Sequence, residues 1–280
     1  MDLRRARSYF SSHGRAGAIV LALLLAIGGV AGAAQEIRIG GTGAALGTMR
    51  LLADKFSQSN PDIKIMTITN LGSVGGIKAV SSGAIELAVT SRPLNERESK
   101  LGLSELEYAR TPLVFAVSTK SAVSAITRQE LADIYSRKME KWPDGSTIRV
   151  VLRPASDIDT AVVKSLTPGI ERGLSVAEKR PGVRFSVTDQ DAANDLERIP
   201  GAIGPCSVAL IVSERRALRA LKLDGVEPTS ANAATKAYPL YKQLFFVTGA
   251  KRSAVAERFV AFVRSPAGRK ILTDNGNWTH

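Results

Sequence analysis

This chain of 280 residues is poor in the residues that carry most catalytic and cross-linking chemistry. It has one cysteine, two histidines and only 5% aromatic residues. Cys206 cannot form an internal disulfide, and we interpret it as a buried free thiol because Gly204-Pro205 and an apolar run flank it. His13 lies near the start and His280 is the last residue, which leaves no histidine-rich metal set and no serine–histidine pair. The sequence therefore predicts no catalytic residue, no metal site and no cofactor.

Acidic residues are scarce relative to basic ones. The chain has 26 Asp and Glu against 38 Lys and Arg, which gives a formal net charge of +12. A basic surface can indicate nucleic acid, a membrane or a small anion as the partner. The basic residues are scattered, and neither a basic helix nor a cluster of stacking aromatics accompanies them. This pattern argues against a nucleic-acid partner.

The first 34 residues have the organisation of an export signal. Its basic region contains Arg4, Arg5, Arg7 and Arg15. An apolar region at 16–30 and a plausible cleavage site at Ala31-Gly32-Ala33 follow. The apolar run is short for a membrane span, although a retained N-terminal anchor is the alternative. Cleavage would leave about 246 residues with a net charge of about +9, since the signal carries four arginines and one aspartate.

Two strand–loop–helix units follow each other directly between Ile37 and Val80. The first reads EIRIGGTGAALGTMRLLADKF and the second IKIMTITNLGSVGGIKAV, each with a Gly-rich or Gly/Ser loop between an apolar run and a helical pattern. A helix that begins after such a loop directs free N–H groups and the positive end of its dipole at one point. Thr42 and Ser73 can add hydroxyl donors there. The two units therefore predict a site that captures an oxyanion.

Apolar segments alternate with helical patterns over residues 35–280, which predicts an α/β fold. We expect strands at 85–89, 111–117, 148–152, 203–212 and 244–248, and helices at 128–136 and 253–264. A second short helix is expected at 268–272, after the interruption at Ser265-Pro266.

Eight segments occur in an order and spacing that identify a family. They read GTGAALG (41–47), LGSVGGI (71–77), AVTSRPL (88–94), ITRQELADIYSRKMEKW (126–142), RPASDIDT (153–160), IPGAIG (199–204), YPLYKQLFFV (238–247) and FVAFVRSPAGRKIL (259–272). In this order they resemble the periplasmic phosphate-binding proteins of ABC transporters. The resemblance implies a two-lobed periplasmic-binding-protein fold with two hinge crossings and a ligand cleft between the lobes.

Together with the strand pattern, the resemblance predicts the division of the chain. The first part of lobe 1 is expected at 35–117, lobe 2 at 118–237 and the return to lobe 1 at 238–280. The hinge strands are expected around 111–117 and 238–247. The resemblance further implies a monomer that binds inorganic phosphate or a similar oxyanion and delivers it to an ABC permease in the inner membrane.

In this family a dehydrated tetrahedral oxyanion is held by loop amides, hydroxyls and one arginine. Carried over to matching positions, the implied ligand-binding residues are Thr42, Gly43, Ala44, Ser73, Gly75, Ser91, Arg153, Asp157 and Asp159. Arginine suits this role because its planar fork can meet two oxygens of one anion.

The chain departs from the family pattern in three places. Ser91 stands where the best-known members have an aspartate that accepts a proton from the ligand, and Ala44-Ala45 stands where a threonine is often found. Asp157-Ile158-Asp159 replaces the usual Ser-Gly-Thr. We hypothesise that the acceptor role has moved to Asp157 or Asp159, where a carboxylate would also repel fully ionised sulfate.

Other interpretations of these residues exist. Thr42 and Ser73 could be helix N-caps, and Asp157 and Asp159 could cap the helix near Thr160. The spacing Gly41-x-Gly43-x-x-x-Gly47 faintly resembles a dinucleotide loop, but no ribose-binding acid follows the second strand. Residues 157–160 also resemble a phosphatase motif, without the nucleophilic aspartate directly at a strand end.

The role and the ligand also have alternatives. A binding protein of the same fold could serve a sensor or an envelope partner rather than an importer, and its ligand could be an oxyanion other than phosphate.

Overall fold

The computed structural model describes residues 35–250 and 253–279. The predicted export signal at 1–34 lies outside the described residues. The strands are β1 (Gln35–Gly41), β2 (Ile63–Ile68), β3 (Leu87–Thr90), β4 (Ser104–Ser118), β5 (Ala125–Ile126), β6 (Arg149–Val150), β7 (Ala202–Ser207), β8 (Leu218–Ala220), β9 (Lys222–Leu223) and β10 (Tyr241–Thr248). The helices are α1 (Gly43–Gln58), α2 (Gly72–Ser81), α3 (Glu96–Ser99), α4 (Arg128–Tyr135), α5 (Ile158–Lys164), α6 (Pro168–Ala177), α7 (Asp189–Arg198), α8 (Val208–Ser213), α9 (Ser230–Ala234), α10 (Ala254–Arg264) and α11 (Pro266–Asp274).

One mixed sheet contains most of the strands, in the order β2-β1-β3-β10-β4-β7-β6, with β8 paired to β4. β1 is parallel to β2 and β3, whereas β10 runs antiparallel to β3 and β4. Because β1 to β3 are parallel, their carboxyl ends meet at one edge of the sheet. Helix α1 begins two residues after β1 ends, at this edge, where α/β proteins commonly bind ligands.

The long strand β4 connects two hydrophobic cores. Its residues 104–112 pair with β10, whereas residues 113–118 pair with β7 and β8. The buried members of the first core lie within 37–109 and 244–272, and those of the second lie within 113–240. The chain thus passes between the cores near Leu113 and again between Leu240 and Leu244.

The two cores agree with the predicted two-lobed α/β fold and its two crossings. We call the part that packs on the first core lobe 1 and the part that packs on the second core lobe 2. The boundaries given above, at 117 and 237, stay a prediction. Among the described residues, no helix is long and apolar enough to cross a membrane.

The predicted strand at 203–212 is wrong in its second half. β7 ends at Ser207, whose hydroxyl accepts a hydrogen bond from the Leu210 N–H and caps α8. A short apolar run can form either a buried strand or a buried helix, so the spacing of its apolar residues could not reveal the helix. Only Arg149–Val150 of the predicted 148–152 pairs as a strand, and β4 begins seven residues before position 111. The predicted helices at 128–136 and 253–264 are confirmed as α4 and α10.

Candidate functional site

A cavity of about 320 Å³ lies between the two lobes. Four helix N-termini surround it, those of α1 and α2 in lobe 1 and those of α5 and α7 in lobe 2. The residues that line it include Thr42, Gly43, Ser73, Val74, Ser91, Arg153, Asp157, Ile158, Ala161, Val187, Asp189 and Lys242. The positive ends of four helix dipoles therefore face one cavity.

Thr42 occupies the N-cap position of α1 without capping the helix. Its hydroxyl makes no hydrogen bond to an N–H of α1 and lies 3.3 Å from Asp189 Oδ2, to which it donates. The Thr42 N–H donates to the Val89 carbonyl at 2.8 Å, which fixes the loop on β3. The turn requires glycine at position 41, because φ there is +144° and a Cβ would lie 1.9 Å from the Val89 oxygen.

Ser73 and Ser91 form a pair of hydroxyls on the opposite wall of lobe 1. The Ser91 N–H donates to Ser73 Oγ at 3.1 Å, and the two hydroxyl oxygens are 3.2 Å apart. Leu71, not Ser73, occupies the N-cap of α2, and no side chain among the described residues caps this helix. The first turns of α1 and α2 therefore both keep N–H groups that no capping side chain satisfies.

Arg153 enters the cavity from lobe 2 and is 4% exposed. Its Nη1 donates to the Ser186 carbonyl and its Nη2 to Asp157 Oδ2, both at 2.7 Å. The other oxygen of Asp157 accepts from the Asp159 N–H at 2.9 Å, so Asp157 is the N-cap of α5. The capping alternative thus holds for Asp157, which also pairs with the arginine.

Lys242 is the main residue that sequence reasoning missed. It is fully buried on β10, with its Nζ 2.7 Å from Asp159 Oδ1 and 2.9 Å from Asp189 Oδ1. A lysine inside the apolar segment YPLYKQLFFV was the available signal, because a charge in a buried strand needs a partner. Its partner Asp189, the first residue of α7, had no sequence signal beyond the preceding Thr188 cap.

Burial and neighbouring charges shift the pKa values of Lys242, Asp159 and Asp189 in opposite directions. Burial alone would lower the pKa of Lys242, but Asp159 and Asp189 outweigh it and raise that pKa. Burial raises the pKa of Asp159 to about 6, against the opposing effect of Lys242. For Asp189, the attraction of Lys242 and Arg153 outweighs burial and lowers the pKa. The ionised lysine therefore holds two carboxylates of unequal acidity.

The structure brings six of the nine predicted site residues together on one cavity. The residues that line it are Thr42, Gly43, Ser73, Ser91, Arg153 and Asp157. Ala44 and Gly75 lie on the first turns of α1 and α2 and are not among the described residues that line it. Asp159 is also absent from that lining, because its side chain is buried behind the cavity against Lys242. Whether any of the nine contacts a ligand stays a prediction.

The fold and this cleft define a two-lobed periplasmic-binding-protein fold, with helix N-termini of both lobes directed at the cavity. The profile of the PBP superfamily domain matches residues 28–267. This chain therefore belongs to the PBP superfamily, and the resemblance found in its sequence is confirmed.

Relatives of this chain occur in several bacteria. The chain is 27% identical over 255 residues to the phosphate-binding protein PstS of Bacillus subtilis, covering 87% of this chain and 80% of that protein. A structure from Clostridium perfringens, described as a phosphate ABC transporter substrate-binding protein with bound phosphate, superposes with a TM-score of 0.73 at 23% identity and covers 88% of this chain and 100% of that one. The molybdate-binding protein of Azotobacter vinelandii gives a TM-score of 0.64 at 14% identity, covering 87% of this chain and 99% of that one.

Proposed function

We propose that this protein is a periplasmic solute-binding protein that captures phosphate, or a closely related oxyanion, for an ABC importer. The observation that carries the proposal is the convergence of the uncapped N-termini of α1 and α2 with a buried arginine on one cavity. Free helix N–H groups and a guanidinium together are a strong oxyanion site. The sequence similarity to PstS of Bacillus subtilis supports phosphate as the ligand.

In this proposal the oxyanion takes its hydrogen bonds from both lobes. The Ser73 hydroxyl and the N–H groups of the first turns of α1 and α2 bind it from lobe 1, and the Thr42 hydroxyl joins them by turning away from Asp189. Arg153 binds it from lobe 2, where Ser186 and Asp157 hold the guanidinium in place. A ligand held from both sides stabilises the closed arrangement, which a permease would recognise. The protein performs no chemistry on the ligand.

Asp157 is a better candidate than Asp159 for the role of accepting a proton from the ligand. It lines the cavity with its carboxyl side chain 21% exposed, whereas Asp159 does not line it and is held by Lys242. A carboxylate beside the ligand would accept a hydrogen bond from protonated phosphate and repel sulfate, which offers no proton.

Export through the predicted signal at 1–34 would place the protein in the periplasm as a monomer that meets its permease at the inner membrane. The experiment that tests the binding role is calorimetric titration of the mature, phosphate-stripped protein with phosphate, sulfate and molybdate. Tight binding of phosphate alone is expected. Absence of heat with all three anions would contradict the proposal.

A further inference from the structure

The cavity is larger than an inorganic oxyanion needs. A tetrahedral anion of five heavy atoms displaces on the order of three water volumes, or ~100 Å³. The cavity holds about 320 Å³, which falls at the lower end of the range for sites that bind organic ligands.

This volume does not result from separated lobes. Thr42 of lobe 1 is within hydrogen-bonding distance of Asp189 of lobe 2, and Gln190 Nε2 donates to the Gly43 carbonyl at 3.1 Å. The lobes therefore already touch beside these polar residues.

Two exposed valines line this cavity. Val74, directly after Ser73 on α2, is 51% exposed, and Val187, two residues before Asp189, is 69% exposed. Both line the cavity, one from each lobe, and Ile158 and Ala161 of α5 also line it. Apolar side chains that are exposed at a ligand cleft can be covered by an apolar part of the ligand.

Resting on the proposed function, we infer that the ligand is an oxyanion ester, a phosphate group that carries a small apolar organic substituent. Its phosphate group would occupy the region of Thr42, Ser73 and Arg153. Its substituent would lie between Val74 and Val187, where it removes both side chains from water. The ligand class is therefore defined by a charged phosphate group next to a short apolar substituent.

The test compares inorganic phosphate, methyl phosphate and phenyl phosphate by calorimetry on the mature, phosphate-stripped protein. Phenyl phosphate is expected to bind about tenfold more tightly than inorganic phosphate, with methyl phosphate between them, because each covered apolar group adds affinity. Val74→Ser and Val187→Ser are each expected to reduce the ratio of the dissociation constant of inorganic phosphate to that of phenyl phosphate about threefold or more. Val176→Ser is the matched control, because Val176 is 57% exposed on α6 and is not among the residues that line the cavity.

The outcomes separate the two proposals. If phosphate binds but no ester binds more tightly, the inference about the ester is overturned and the anion site stands. If Val74→Ser and Val187→Ser weaken phosphate and phenyl phosphate equally, the valines close against each other rather than on a substituent, which also overturns it. If none of the three compounds binds, both the ester inference and the proposed function fail.

Discussion

Both terminal nitrogens of Arg153 are hydrogen-bonded inside the protein, so its position in the cleft is fixed before any ligand arrives. Arg153→Lys keeps the charge and removes the fork. Loss of one charge-assisted hydrogen bond, about 1.5–3 kcal/mol, should raise the Kd for phosphate roughly 10- to 100-fold. Arg149→Lys is the control, since Arg149 is exposed on β6. Calorimetry that finds the same Kd for the Arg153 variant would remove this residue from the site.

Asp157 is expected to decide between phosphate and sulfate. Asp157→Asn keeps the size of the side chain and its oxygen but removes the charge that repels sulfate. The ratio of sulfate to phosphate dissociation constants should fall by about tenfold, because a like charge nearby costs on the order of 1 kcal/mol or more in a partly exposed site. Competition titrations measure this ratio. Asp54→Asn, on the exposed face of α1, is the control, and an unchanged ratio in Asp157→Asn would refute the role.

Asp159 should make the stability of the fold depend on pH. Burial raises its pKa to about 6 in the folded protein, whereas an unfolded aspartate has a pKa of about 4. Between these values the folded state binds more protons than the unfolded state. The contribution of Asp159 to the free energy of unfolding therefore increases as pH falls from 7 to 4, by on the order of 1–3 kcal/mol.

Urea unfolding at several pH values checks this dependence. Asp159→Asn should show a smaller increase in the free energy of unfolding between pH 7 and pH 5 than the parent protein. Asp54→Asn should keep the parent slope. The groups facing Asp159 are Lys242, Asp157, Asp189 and Arg153. An unchanged slope in Asp159→Asn would refute the assignment of the pH dependence to Asp159.

At the scale of elements, the β1–α1 turn depends on a glycine that a side chain cannot replace. Gly41 has a positive φ, and an added Cβ would collide with the Val89 carbonyl on β3. Gly41→Ala should lower the free energy of unfolding by about 3 kcal/mol or more, from strain and overpacking together. Gly102 also has a positive φ, but a Cβ added there would meet no atom within 4 Å. Gly102→Ala should therefore lower the free energy of unfolding by only about 1–2 kcal/mol. Equal losses of unfolding free energy for the two variants, measured by urea unfolding, would show that the backbone around Gly41 shifts to accommodate the added Cβ.

The elements around this turn could be predicted because each has a local signal. The Gly-rich loop before α1 and the Thr127 cap before α4 can each be recognised from a few consecutive residues. The lysine–aspartate group could not be predicted, since Lys242 lies 53 residues from Asp189 and 83 from Asp159 along the chain. Arg153 could be named as a site residue from its loop, but its pairing with Ser186 depends on how β6 and the segment before α7 pack.

At the scale of the whole molecule, the lobes meet along α1 and α8. An ideal Cβ on Gly47 of α1 would lie 3.0 Å from the Ser213 Cβ of α8. Disulfides join Cβ atoms about 3.5–4.5 Å apart, so a shift of several tenths of an ångström would admit one. The natural Cys206 should not interfere, because it is buried and burial raises its pKa to about 12.

The double variant Gly47→Cys with Ser213→Cys therefore tests whether this contact opens when ligand enters. If it opens, the oxidised protein should bind phosphate with an association rate at least about tenfold slower, because the open form is depleted. Dissociation should slow as well, and dithiothreitol should restore both rates. Stopped-flow measurements on the two single variants control for the substitutions themselves. Equal rates in the oxidised and reduced double variant would mean that α1 and α8 stay in contact in both the open and the closed state. Any motion at the hinge crossings of β4 and β10 would then leave this contact intact.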